Sequence, residues 1–461
     1  MNYRINYIFC ILLTVVSGCK KLIDVPGPGT QTESSDVFKT DASSTAAVTG
    51  IYSRAIPFSV SFLNGGVTIY AGLSADELIQ NETNITIQEF FTNSLQPSNQ
   101  LLRKDLWVRA YSLIYDINAC IEGLSSSKTL TASIRDQLLG ESYFLRAFVY
   151  FNMVNLFGDV PLVVTTDYAT NTTLPRTNAT IVKAKIKADL TNAADLLIPA
   201  YPTPNRARIN KWAAMALLAR VNLYDNNWQE AESAASMVIN SGTYSLEKDL
   251  NKVFLFTSNE SIFQMMPVAK GYNTTEGSQF VPAGTSSIPA YSFSTFLLSE
   301  FASGDKRFTN WVGSRSIGGT LYTFPYKYKA RPDFSASFVL KEYYVVLRLA
   351  EQYLIRAEAR ANLGDLPGAI QDIDTIRSRA GLPFIASSIN KTDLLVAIQK
   401  ERQTELFTEW GHRWFDLKRT KQADLILKSR KLGWNATDTL YPIPAAERLL
   451  NPALTQNNGY N

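Results

Sequence analysis

Glu401, Glu405 and Glu409 recur every four residues and so share one stripe of a helix, with Arg402, Arg413, Asp416, Lys418 and Arg419 close by. Paired carboxylates are the acid and base of glycoside hydrolysis, but that chemistry needs two carboxyl groups facing each other across a cleft. Neighbours on one stripe are badly placed for it. A carboxylate–guanidinium network fixing helix against helix fits the spacing better, because Arg forks match carboxylates. The single histidine, His412, excludes any site needing two imidazoles, and a nucleophilic triad would have to run through that one ring. Cys120 stands in an apolar helical pattern with Ile114, Ile117 and Ile121, the surroundings of a buried, inert thiol. There is no Gly-rich phosphate loop, EF-hand loop or Cys/His cluster, so neither metal nor cofactor is expected. Aromatics remain: 22 Tyr, 24 Phe and 7 Trp suit a chain that stacks flat apolar ligand faces, though most of those rings must be core. Tyr322, Tyr326 and Tyr328 share one side of a strand-like run with Lys327 and Lys329 between them, and the flanking Gly318, Gly319 and Pro325 favour partial exposure.

The elements that position these residues are mainly helical. The periodicity predicts helices over 41–56, 102–124, 134–156, 181–197, 211–224, 228–241, 345–363, 366–380 and 391–418. In two neighbouring pairs a small residue repeats after twelve positions, Ala219 with Ala231 and Ala357 with Ala369, with Asn226 and Gly364 at the turns. Small residues at that spacing let antiparallel helices approach closely, which is the tetratricopeptide plan. Residues 58–100 and 244–337 are different in kind, rich in Gly, Ser, Thr, Asn and aromatics. Long stretches of that sort are usually functional. The expected fold is mainly α, a tetratricopeptide-like helical scaffold with two large irregular insertions and a few short strands.

The beginning of the chain constrains its address. Arg4, the apolar run Ile8 to Val16 and the small pair Ser17-Gly18 make the three-part plan of a secretory signal peptide over residues 1–18. The run is too short for a span, which takes about 20 apolar residues. Cys19 follows at once, and the arrangement resembles the lipobox of bacterial lipoproteins, whose cleaved chain begins with a diacylated cysteine. Residues 19–35 read as a flexible lipidated linker around Pro26-Gly27-Pro28-Gly29, and 36–461 as a single domain. With Cys10 removed and Cys19 lipidated, Cys120 has no disulfide partner. A net charge of +4 without a basic block gives no reason to expect nucleic acid.

Several blocks in order resemble the SusD/RagB-like nutrient-binding outer-membrane lipoproteins of Bacteroidetes. They are Leu22 to Pro26, Ala47 to Tyr52, Leu145 to Ala147 with Phe157 to Leu162, Arg348 to Arg360, Glu401 to Arg419, and Leu440 to Pro444 with the ending Gln456 to Tyr460. The resemblance covers essentially the whole mature length. It implies a non-catalytic protein at the cell outer membrane that captures a nutrient, usually an oligosaccharide, and passes it as a lid to a SusC-like TonB-dependent transporter. Surface exposure rests on the resemblance, because Lys20-Lys21 with Asp24 as the first acid matches acidic export signals only in part. No motif position matches a binding residue one to one. By location in the insertions, Tyr70, Asn81, Phe90, Phe91, Trp311, Tyr322 and Arg331 are the expected ligand contacts. Two other readings compete: a gating lid with little ligand affinity of its own, and a lipid-anchored hydrolase using Asp/Glu pairs from the insertions.

Overall fold

The computed structural model describes residues 34–460; the signal-peptide and Cys19 lipidation readings, and the linker before Ser34, lie outside the described residues. The longer helices are α1 (Asp41–Ala55), α2 (Gly66–Ser74), α3 (Ile85–Thr92), α4 (Arg109–Ser126), α5 (Ala132–Phe157), α6 (Ala179–Leu196) and α7 (Lys211–Tyr224). They continue with α8 (Trp228–Asn240), α9 (Leu349–Leu363), α10 (Leu366–Ala380), α11 (Lys391–Leu406), α12 (His412–Arg419) and α13 (Ala423–Arg430). The strands are β1 (Leu78–Gln80), β2 (Ser261–Met265), β3 (Tyr291–Phe293), β4 (Val312–Ile317), β5 (Thr320–Pro325) and β6 (Tyr344–Arg348). They pair antiparallel, β1 with β3, β2 with β6 and β4 with β5.

From α4 to α10 each helix packs on the one before it, and α11 folds back onto α9. Side-chain oxygens of Thr40, Asn178, Asn210, Asp365 and Asn390 accept the first free N–H groups of α1, α6, α7, α10 and α11, so these starts are set locally. Ala219, Ala231, Ala357 and Ala369 are fully buried between their helices, as the repeat spacing predicts. Asn226 and Gly364 take positive φ at the two turns. Helix α5 is apolar on nearly every side because α1, α4, α6 and α7 all pack on it. α8 rests against α9 although residues 241–348 intervene, so the second insertion leaves and re-enters the scaffold without parting it.

Buried Arg forks tie these helices together. Arg146 on α5 grips Asp189 on α6 at 2.7 and 2.8 Å, and Arg220 on α7 grips Glu351 on α9 at 2.6 Å through both oxygens. Arg356 on α9 holds Asp372 on α10, and Arg402 on α11 holds Asp416 on α12.

Three expectations need correction. Residues 345–348 form strand β6 rather than the first turn of α9; buried on both faces, they carry no alternation to betray a strand. The helix expected over 391–418 breaks at residues 407–411, where Thr408, Trp410 and Gly411 all have positive φ. Core burial explains that break, since Trp410 stacks on Tyr344 at 4.5 Å and its indole N–H donates to the Val345 carbonyl at 2.7 Å. The first insertion is less irregular than read, holding α2 and α3; α2 is buried on every side and so lacks a periodic signature.

Candidate binding site at the seam of the two insertions

Two loops, one from each insertion, line a narrow surface cleft. The first, leading into α2, is held by Asn64, whose amide donates to the carbonyls of Pro57 at 2.5 Å and Ser59 at 3.0 Å. The second is pinned by Asn273, whose Oδ1 accepts from the backbone N–H groups of Lys341 at 2.8 Å and Glu342 at 3.0 Å. Thr274 then caps the short helix Thr275–Phe280 by accepting from Gly277 N–H at 3.1 Å. Gly271, at φ +83°, passes so close to Phe334 that a Cβ there would lie 2.6 Å from the ring. That approach sets Phe334 edge-on to Tyr272, with ring centroids 5.4 Å apart.

The result is an aromatic rim. Phe58 is 70% exposed and Phe334 71%, unusual values for phenylalanine rings held on ordered loops. Tyr344 lines the pocket, its hydroxyl 2.8 Å from Thr68 Oγ1 and its ring backed by Trp410. Not one lining side chain is charged. Beside Tyr344 and Thr68 lies Glu276, buried and without an ion pair among the described residues; burial pushes its carboxyl up to about 8, which favours the neutral form. Ring faces suit the C–H faces of a sugar, and amide and hydroxyl groups suit its hydroxyls. No pair of carboxylates faces this pocket.

The acidic stripe is spent on structure. Arg348 donates to Glu405 at 2.5 Å, to Glu260 at 2.9 Å and to both oxygens of Glu409. Arg307 reaches Glu401 at 2.5 Å and Glu405 at 3.2 Å. Burial alone would raise the Glu405 carboxyl, but the guanidiniums of Arg379, Arg348 and Arg307 outweigh it and hold it far below the usual carboxylate range. Lys327, expected near the surface, is buried instead, donating to Glu409 at 2.5 Å and to the Glu405 and Phe407 carbonyls at 2.8 Å. Burial pushes the Cys120 thiol up to about 12, which leaves it protonated and inert. Among the described residues no group of three or more His, Cys, Asp or Glu could hold a metal ion.

The expected contact residues divide into two sets. Tyr70, Phe90 and Trp311 are core, which corrects the expectation that their faces meet a ligand. Tyr70 stacks on Phe90 at 4.5 Å and donates to Asp105 at 2.7 Å, while the Trp311 indole donates to the Leu250 carbonyl at 2.9 Å. Large rings gain most from burial, and nothing in their local sequence opposed it. The others lie nearer the surface but away from the pocket. Asn81 staples the loop before β3, donating to Pro289 O at 2.8 Å and Ser292 Oγ at 2.6 Å. Arg331 holds the Ser278 and Val281 carbonyls, Phe91 packs under the Lys431 ammonium at 4.4 Å, and half-buried Tyr322 pairs with Arg315 across the β4–β5 hairpin. Sequence reasoning missed Phe58, Tyr272 and Phe334. A signal existed: Pro57-Phe58-Ser59 and Pro332-Asp333-Phe334-Ser335 put a ring where no helix or strand could bury it.

Residues 308–460 match the model of the SusD family, and residues 69–223 match a SusD-like model described as starch-binding associating with outer membrane. Among curated relatives, SusD-like protein P38 of Formosa agariphila is 24% identical over all of this chain and 99% of its own length. SusD-like protein P25 of the same organism is 24% identical over 85% of this chain and 89% of its own. Among solved structures, a SusD superfamily protein from Bacteroides vulgatus superposes with a TM-score of 0.81 at 24% identity, covering 92% of this chain and 100% of that one. A laminarin-binding SusD-like protein superposes at 0.78 and 24% identity, with the same coverage. Two family matches spanning both halves of the helical scaffold, together with full-length relatives of the same kind, establish that this chain belongs to the SusD/RagB-like family.

Proposed function

We propose that the protein captures an oligosaccharide at the seam of its two insertions and delivers it, as a lid, to a SusC-like TonB-dependent transporter in the outer membrane. The observation that carries this reading is the uncharged pocket with Phe58 and Phe334 standing exposed at its rim. The laminarin-binding neighbour and the starch-binding description of the matching model support a glycan ligand. No helix among the described residues is long and apolar enough to cross a membrane, so attachment in this reading runs through lipid on Cys19. The role is binding without catalysis: the carboxylates of the acidic stripe are committed to buried Arg partners and none lines the pocket.

The test is a glycan array followed by calorimetry on the purified protein, with co-purification of a TonB-dependent transporter from the native membrane. Saturable glycan binding with co-purification agrees with the proposal. Co-purification without any glycan affinity would instead favour a purely gating lid, and glycan breakdown during incubation a hydrolase.

A further inference from the structure

A short helix near the end of the described chain, Ala445–Leu450, finishes in two leucines that the protein leaves uncovered: Leu449 is 84% exposed and Leu450 73%. Single exposed leucines are ordinary. Here, however, Leu450 and Tyr168, itself 81% exposed, line one open trough of about 390 Å³. Trp107, Tyr111, Pro161, Val163 and Leu454 complete its apolar lining, and it shares no residue with the seam cleft. A rare kind of turn builds its floor. Trp107 is carried by a π-helix, Leu102–Val108, and packs on Tyr111 at 5.0 Å and edge-on to Phe157 at 5.1 Å. Such π-turns are frequent at functional sites.

The polar groups around the trough are already engaged within the protein. The Tyr111 hydroxyl donates to the Pro161 carbonyl at 3.0 Å, and the Thr172 hydroxyl to the Ala169 carbonyl at 3.3 Å. The Asn171 amide donates to the Thr165 carbonyl at 2.7 Å, and its Oδ1 is sealed from solvent. Asn451 donates to the Leu174 carbonyl at 2.9 Å and accepts from the Ala453 N–H at 3.0 Å. Glu447, the only charged residue of the lining, is held by Arg103 at 2.7 Å. A sugar needs idle donors and acceptors, and few remain. What stays open is apolar surface, which suits a hydrocarbon chain.

One cation stands at the margin. Arg448 Nε donates to the carbonyl of Leu454, a lining residue, at 3.2 Å, and its guanidinium has no carboxylate partner among the described residues. The rest of its N–H fork is therefore free for an anion. Asp167, next to Tyr168, is occupied as the cap of its own short helix, accepting from the Thr170 N–H at 3.1 Å.

We infer that this trough is a lipid site: one acyl chain lies along Trp107, Val163, Tyr168 and Leu450, and its anionic head group meets Arg448. Burial of the chain against the aromatic floor supplies the attraction, and the guanidinium sets which end lies where. A free fatty acid and a lipid of the outer membrane both offer that chemistry. The site does not depend on glycan capture at the seam.

Calorimetric titration of the purified protein with sodium laurate below its micelle concentration tests this, followed by sedimentation with vesicles of phosphatidylethanolamine and phosphatidylglycerol. The expected result is saturable laurate binding that Leu450→Asp, Tyr168→Ser and Arg448→Gln each weaken about tenfold. Leu450 and Tyr168 are exposed, so thermal unfolding of their variants should match the parent's, and lost binding then cannot be ascribed to lost fold. Vesicle binding that the same substitutions abolish would assign the site to membrane lipid, and laurate binding alone to free fatty acids; both support it. Absence of saturation below about 1 mM, laurate binding untouched by Leu450→Asp and Tyr168→Ser, or displacement of laurate by laminarin fragments overturns it.

Discussion

Phe58 and Trp311 are both aromatic and have opposite fates. Phe58 rises from a Pro-flanked loop into solvent, whereas Trp311 closes over buried Lys327, whose ammonium lies 4.9 Å from its ring centroid. Substitution should separate these roles. Phe58→Ala and Phe334→Ala should leave denaturant midpoints nearly unchanged while weakening glycan binding, each ring being worth about 1 kcal/mol or more. Trp311→Ala should instead cost about 3–5 kcal/mol of stability in urea unfolding. A second residue-scale prediction concerns Glu276. Its folded carboxyl titrates near 8, above the unfolded value of about 4.3, so its contribution is complete below that value and fades as pH rises toward 8. Glu276→Gln should therefore flatten the fall in stability between those limits, read from melting temperatures across pH. At this scale the sequence was a poor guide. It showed which stretches lay outside the scaffold, but the burial of Tyr70, Phe90 and Trp311 depends on what folds over them, and no local pattern carries that.

Helices and turns were far more legible. α7 and α10 have the bounds that the periodicity predicts, and the alanine spacing found both repeat pairs, because contacts within a helical hairpin are local. The failures, β6 and the break after α11, occur where a long-range contact overrides periodicity: β2 recruits residues 344–348, and Tyr344 draws Trp410 into the core. The same turn lets Glu409 join Arg348 from outside a helix. Glu405 stands at the centre of that network, and Glu405→Gln should cost about 3–5 kcal/mol at neutral pH, because it strands buried guanidiniums. The sign with pH is opposite to that of Glu276. A carboxyl held low contributes fully above its unfolded value of about 4.3 and loses that contribution as pH falls, so the gap between parent and variant should narrow in acid. Chemical denaturation at neutral and acid pH measures both.

Across the whole molecule, one apolar core runs from Val48 in α1 to Leu454 near the end of the described chain, with smaller clusters among α9, α10 and α11. The insertions contribute Phe62, Phe263 and Trp311 to it, so they are parts of the body rather than appendages. Calorimetric unfolding should accordingly show one cooperative transition, not separate melting of scaffold and insertions. A rigid body with a neutral aromatic pocket at one seam is what the proposed capture requires, and the pocket carries the claim. The most direct measurement is titration of neutral oligosaccharides, laminarin fragments among them, into the parent and into the Phe58→Ala/Phe334→Ala double variant, with melting temperatures recorded for both. Saturable binding by the parent, and its loss in the variant at an unchanged melting temperature, is the expected result. Equal glycan affinity in the two proteins would contradict it.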